Sequence, residues 1–153
     1  MSMHAKSFRS ALLASLLALL STAAAAAQSS SLLGLWREAA GSILDIHTCG
    51  ADLCATLASV SPGAPSRVDG NNPNAAQRSR PLCGLQIGWG FHPDGPSGAK
   101  DGMIYDPRTG SSYHATLVVK GDALELHSYV GLKIFGRTET FTRVPQAPPC
   151  HTS

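Results

Sequence analysis

Once its N-terminal segment is set aside, this chain has no excess of charge of either sign. It carries 12 Lys+Arg against 10 Asp+Glu in 153 residues. Lys6 and Arg9 fall in the first 27 residues and no acid does, which leaves ten of each sign in the remainder. A neutral remainder offers no basic stripe to nucleic acid, whose phosphates call for clustered Lys and Arg. It gives no overall electrostatic reason for membrane adsorption either. Catalytic signatures are missing as well: there is no G-x-S-x-G, no H-E-x-x-H, no phosphate loop and no paired-carboxylate pattern. The expectation is therefore a protein that is not an enzyme. After residue 27 the histidines His47, His92, His114, His127 and His151 are scattered without metal spacing and read as surface or strand-edge residues. No metal and no other cofactor is expected. No convincing helical pattern appears in this part.

What is present begins with an export signal. Residues 1–27 have a positive start at Lys6 and Arg9, a ten-residue apolar run from Ala11 to Leu20, and alanines from Ala23 to Ala27 that suit an A-x-A cleavage site. The rival reading, a membrane anchor, is disfavoured because the run is short and Ala-rich against ~30 Å of hydrocarbon. No Cys follows the apolar run, which argues against a lipoprotein anchor. The mature chain is expected to start near Gln28, to be periplasmic or secreted, and to have no stable membrane insertion after signal removal. Residues 28–153 are long enough for one domain and too short for two.

Four cysteines, Cys49, Cys54, Cys83 and Cys150, follow the signal. An even count in an exported chain reads as two disulfides. Cys49 and Cys54 flank a turn-like Gly50-Ala51-Asp52-Leu53, so a bridge there closes a very short loop. Cys83 with Cys150 then staples the tail, residues 145–153, to the long loop. A zinc site is the alternative, but C-x4-C without a second close pair is poor zinc spacing.

Short strand-like runs punctuated by Gly, Pro and Asn fill the rest. Strands are predicted over 33–38, 42–48, 53–60, 85–91, 102–105, 112–120, 123–130 and 133–144. Residues 61–84 form the long loop, with one helical turn over 74–78 after Asn72-Pro73. Gly121-Asp122 is a two-residue hairpin turn. Eight strands in hairpin succession point to an all-β, eight-stranded up-and-down antiparallel barrel, which removes its own edges. A two-sheet sandwich is the alternative. A barrel of this size is either filled with side chains or holds one small ligand.

Gly34-Leu35-Trp36 on the first strand resembles the G-x-W of lipocalins, and Arg143 on the last strand sits where those barrels place an Arg over that Trp. The resemblance implies a guanidinium stacked on the Trp36 indole at the barrel base. A closer likeness spans the whole mature part. GLWRE, DIHTCGADLCATL, DGNNPNAAQRSRPLCGL, GMIYDPRTGSSYHATL and LHSYVGLKIFGRTETFTRV, in this order, resemble domain of unknown function 2147, a family of small exported bacterial proteins. The likeness implies a lipocalin-like barrel and no agreed activity. Phe141 departs from the family pattern, standing where a Trp is expected.

Candidate sites gather in two places. The stretch DGNNPNAAQRSRPLCG, residues 69–84, is the longest polar run. Asp69, Asn71 and Asn72 have side chains that make their own turn bonds, so one reading is a self-bonded loop. The other is a lid over the barrel mouth that presents Arg78 and Arg80 to a ligand. On the last strand, alternation puts Phe135, Arg137, Glu139, Phe141 and Arg143 on one face. If Arg143 covers Trp36, Arg137 and Glu139 also face inward. They either pair with each other or Arg137 offers its fork of donors to an anionic head group. Tyr105, Tyr113 and Tyr129 are candidate lining, with Leu117, Leu124 and Leu126 as apolar wall. Together these readings point to a small lipophilic or amphiphilic partner held in the barrel. The alternative is a structural or protein-interaction module with a filled barrel.

Overall fold

The computed structural model describes residues 31–150; the signal segment, the start near Gln28 and His151 lie outside the described residues. Eight strands follow in order: β1 (Gly34–Glu38), β2 (Ile43–Cys49), β3 (Asp52–Ser59), β4 (Gln86–Pro93), β5 (Gly98–Asp106), β6 (Ser111–Lys120), β7 (Ala123–Tyr129) and β8 (Arg137–Val144). Each pairs antiparallel with the next, and β1 pairs with β8 to close the barrel. The sandwich alternative is thereby excluded.

Two strand expectations need correction. β5 is nine residues long and begins at Gly98, because the turn after β4 occupies only residues 94–97. β8 begins at Arg137, since Lys133–Phe135 form a 3-10 turn instead of strand. Gly136 explains the late start. A Cβ there would lie 2.4 Å from the His127 ring and 2.5 Å from the Ser128 carbonyl, so the chain must pass tight against β7 before it can straighten.

Alternation then sorts the side chains. Trp36 lies opposite Leu44 and Arg143, Ile46 opposite Ala55, Leu117 opposite Leu126, and Leu124 opposite Phe141. These residues point inward. Trp36, Ile46, Phe91, Leu117 and Leu124 are at most 1% exposed, so no water-sized void adjoins them. Phe91 fills the lumen because Gly102 has no side chain: a Cβ at Gly102 would stand 2.2 Å from the Phe91 ring. The lower and middle barrel is a packed core.

At the base, the Arg143 guanidinium lies 4.0 Å from the centre of the Trp36 ring. Its Nη1 donates to the Leu33 carbonyl at 3.0 Å, and its Nη2 donates to the Ser31 carbonyl. The Trp36 indole N–H donates to the Leu32 carbonyl at 2.7 Å. Gly34 of G-x-W has φ +111°, and a Cβ there would sit 3.3 Å from Arg143 Nη1. The motif therefore needs glycine both for its backbone and for the approach of the arginine.

Both disulfides form, Cys49–Cys54 across the β2–β3 turn and Cys83–Cys150 from the long loop to the tail. Structural disulfides persist in oxidising surroundings, so their presence points to an extracytoplasmic compartment. No helix among the described residues is long and apolar enough to cross a membrane.

Candidate functional site at the open end of the barrel

The end opposite the Trp36–Arg143 base carries the connections 39–42, 60–85, 107–110 and 130–136. Here the inner face turns polar. Glu38 shares the Trp36 face of β1 by alternation, two residues nearer the mouth. Asp106 ends β5 two residues beyond the inward Ile104, and Tyr113 lies opposite Ile104 on β6. On β8, Glu139 lies opposite Leu126 and Arg137 opposite Ser128. The inward direction of Arg137 and Glu139 thus follows from the same register that seats Arg143 under Trp36.

The ionic partners differ from either sequence reading. Glu139 does not pair with Arg137. Arg108, on the β5–β6 turn, reaches Glu139 at 3.5 Å and Asp106 at 2.9 Å. The Asp106 hydrogen bond holds the Arg108 pKa above its usual value against partial burial, helped by the charges of Asp106, Glu139 and Glu38. Arg137 makes no ion pair and no side-chain hydrogen bond among the described residues. It stands exposed at the rim. Below it, half-buried Tyr113 and the apolar Leu44, Leu57, Ile104 and Leu126, the last four each 4–8% exposed, cover the inner face at this end.

Residues 69–84 are not a lid. Asp69 is fully buried, and its carboxylate accepts from Tyr105 Oη at 2.6 Å, Asn72 Nδ2 at 2.7 Å, and Arg80 Nε and Nη2, each at 2.8 Å. Arg78 donates from Nε to the Asn72 carbonyl at 2.8 Å. Asn74 caps the short 3-10 turn Ala75–Gln77 through its side-chain oxygen. Tyr105 lies between the inward Ile104 and Asp106, so it points out of the barrel and is sealed by the loop. The segment is therefore a self-bonded strap laid on the outer wall and nailed to β5 through Tyr105. Asn71 ties its edge to the rim by donating to the Arg108 carbonyl at 2.9 Å.

Burial alone pushes the Asp69 carboxyl up, but the bonds from Tyr105, Asn72 and Arg80 and the charge of Arg80 outweigh it and hold the group below the usual carboxylate range. Tyr105 is pushed up to about 12 by burial and by the neighbouring carboxylate, since ionisation would place two anions together.

Of the three tyrosines, the structure places only Tyr113 on the inner face at the mouth. Tyr105 belongs to the strap, and Tyr129 points outward, stacked on His114 and His127 with the Lys133 ammonium 5.6 Å from its ring. Asp69, Asn71, Asn72, Arg78 and Arg80 serve the strap, so they are not positioned to receive a ligand in the mouth. Glu38, Asp106 and Arg108 are rim residues that sequence reasoning missed. Asp106 and Arg108 were legible only as turn formers, and Glu38 carried no signal beyond its alternation with Trp36. Two surface hollows, of about 650 and 620 Å³, lie outside the lumen. The first runs between Arg37, Ile43 and the tail at Pro148–Cys150, the second beside Leu35 and Arg143.

Comparison with known proteins places this geometry. No curated protein matches the chain. Among solved structures, it is similar to protein HP1028 from the human pathogen Helicobacter pylori, described as belonging to the lipocalin family, at 22% identity and a TM-score of 0.68, over 76% of this chain and 84% of that one. At that identity the likeness establishes a shared lipocalin-like fold. The sequence matches domain of unknown function 2147, described as an uncharacterized protein conserved in bacteria, over residues 34–143, all but the last residue of the Trp-closed barrel at 34–144, and the chain belongs to that family.

Proposed function

We propose that this is an exported binding protein, not an enzyme, and that it works at the open end of its barrel. Its ligand is a small, partly apolar molecule with an anionic group. The observation that carries the reading is Arg137: an inward-directed guanidinium without a partner, above a half-buried tyrosine and an apolar floor. An anionic group there would take the bidentate fork of Arg137, as Asp106 and Glu139 already take the donors of Arg108. Because Phe91 and Trp36 fill the lumen below, the apolar part of the ligand enters the mouth only shallowly. The N-terminal segment and the two disulfides support a periplasmic or secreted location.

Mass spectrometry of small molecules that co-purify with the natively exported protein tests this reading. The expected result is an anionic amphiphile retained by the wild type and lost from both Arg137→Ala and Arg137→Lys, since Lys lacks the planar fork. Retention by both variants would overturn it. The packed lumen favours a second reading, a filled barrel that binds another protein through its outer surface and strap. A clean spectrum together with stable capture of one protein partner would establish that alternative.

A further inference from the structure

The β7–β8 connection is the most apolar exposed feature among the described residues. Val130, Leu132, Ile134 and Phe135 are 72%, 66%, 82% and 77% exposed, four large apolar side chains within six residues. Nothing in the fold requires this. The Lys133–Phe135 turn buries none of its residues, and His127 already fixes its position by a 2.8 Å bond to the Lys133 carbonyl and a 2.9 Å bond to Thr138 Oγ1. The loop is thus held in shape while its apolar side chains face solvent, an arrangement that marks an interaction site.

We infer that this loop docks the protein on an anionic lipid membrane surface, with the barrel mouth facing the bilayer. Charge selects the occupant. Between Glu125 and Glu139 the chain carries Lys133 and Arg137 and no acid, so the ten-to-ten balance of the mature part conceals a local cationic, apolar tip. Cations bracketing exposed Leu, Ile and Phe suit the boundary between anionic head groups and acyl chains. A single protruding turn also falls well short of the ~800 Å² per partner of a standard protein interface. The loop borders the same rim as Arg137, yet docking does not depend on a ligand in the mouth and is tested without one.

The experiment is co-sedimentation of the mature, oxidised protein with vesicles of phosphatidylcholine, alone or mixed with phosphatidylglycerol. The wild type is expected to pellet with the mixed vesicles, and less so as salt is raised. Ile134→Ser with Phe135→Ser should weaken partitioning by about tenfold or more, as the loss of two inserted apolar side chains implies. Lys133→Glu should remove the preference for phosphatidylglycerol. Both variants alter exposed residues, and unchanged melting confirms that they fold. The absence of pelleting, or pelleting that neither variant changes, would overturn the inference. So would a concentration-dependent dimer that the Ile134/Phe135 double variant abolishes, since the loop would then pair with a second copy.

Discussion

Two arginines on one strand face, Arg143 at the base and Arg137 at the mouth, are separated by six residues and by nearly everything else. Arg143 lies over an indole and donates to two carbonyls. Among the described residues, Arg137 donates to nothing. Alternation gave both the same direction, but only the base supplies partners, because there the first strand enters and its carbonyls are still unpaired by sheet. The same contrast holds for the two ends as wholes. Short turns, a disulfide and a stacked cation close the base. The mouth keeps Arg108 paired with Asp106 and Glu139, an unpaired guanidinium and an apolar turn, and the last two are the ones available for binding.

The hardest test of that contrast is Trp36→Ala. It should destabilise the protein by about 3–5 kcal/mol, as for other buried large aromatics, measured by denaturant unfolding. A loss under about 1 kcal/mol, within the range of ordinary substitutions, would mean that the base does not close the barrel. Next, Cys83→Ser with Cys150→Ser opens a crosslink spanning 67 residues and should cost about 4 kcal/mol in the chain-entropy model, against about 2 kcal/mol for the short Cys49–Cys54 loop. Equal losses from the two bridges would contradict the expected dependence on loop length.

The strap yields a pH test with a defined sign. The folded pKa of Asp69 is depressed, so its contribution is complete above about pH 4 and is lost as pH falls through the folded value. Asp69→Asn should flatten that acid limb of the stability curve and cost on the order of 3 kcal/mol near neutral pH, because Arg80 loses its buried counter-charge. Tyr105 behaves oppositely: its raised pKa gives stability that is intact below pH 10 and lost between 10 and about 12, on the order of 2 kcal/mol. Tyr105→Phe should remove that alkaline limb. Last and smallest, Arg137→Ala should change stability by less than about 0.5 kcal/mol. A larger loss would show that Arg137 is structural after all and that the two arginines differ less than their surroundings imply.

The Trp36–Arg143 lock was implied by the resemblance to lipocalins; the sequence alone pointed to eight short strands, a closed barrel and two disulfides, with the starts of β5 and β8 misplaced. These rest on local rules: alternation sets side-chain direction, Gly and Pro place turns, and an even cysteine count in an exported chain implies pairing. Tertiary structure decided which polar residues meet. Asp69 and Tyr105 are 36 residues apart, and Arg108 reaches Glu139 across the mouth; no spacing rule connects either pair. Tyr105 and Tyr129, read as lining from the sequence, both face outward and are covered, one by the strap and the other by its ring neighbours and Lys133. In sequence, the apolar segment 130–135 read as the end of one strand, a turn at Gly131-Leu132 and the start of the next strand at Lys133. Only the fold, through the tight passage of Gly136 beside β7, turned it out into solvent.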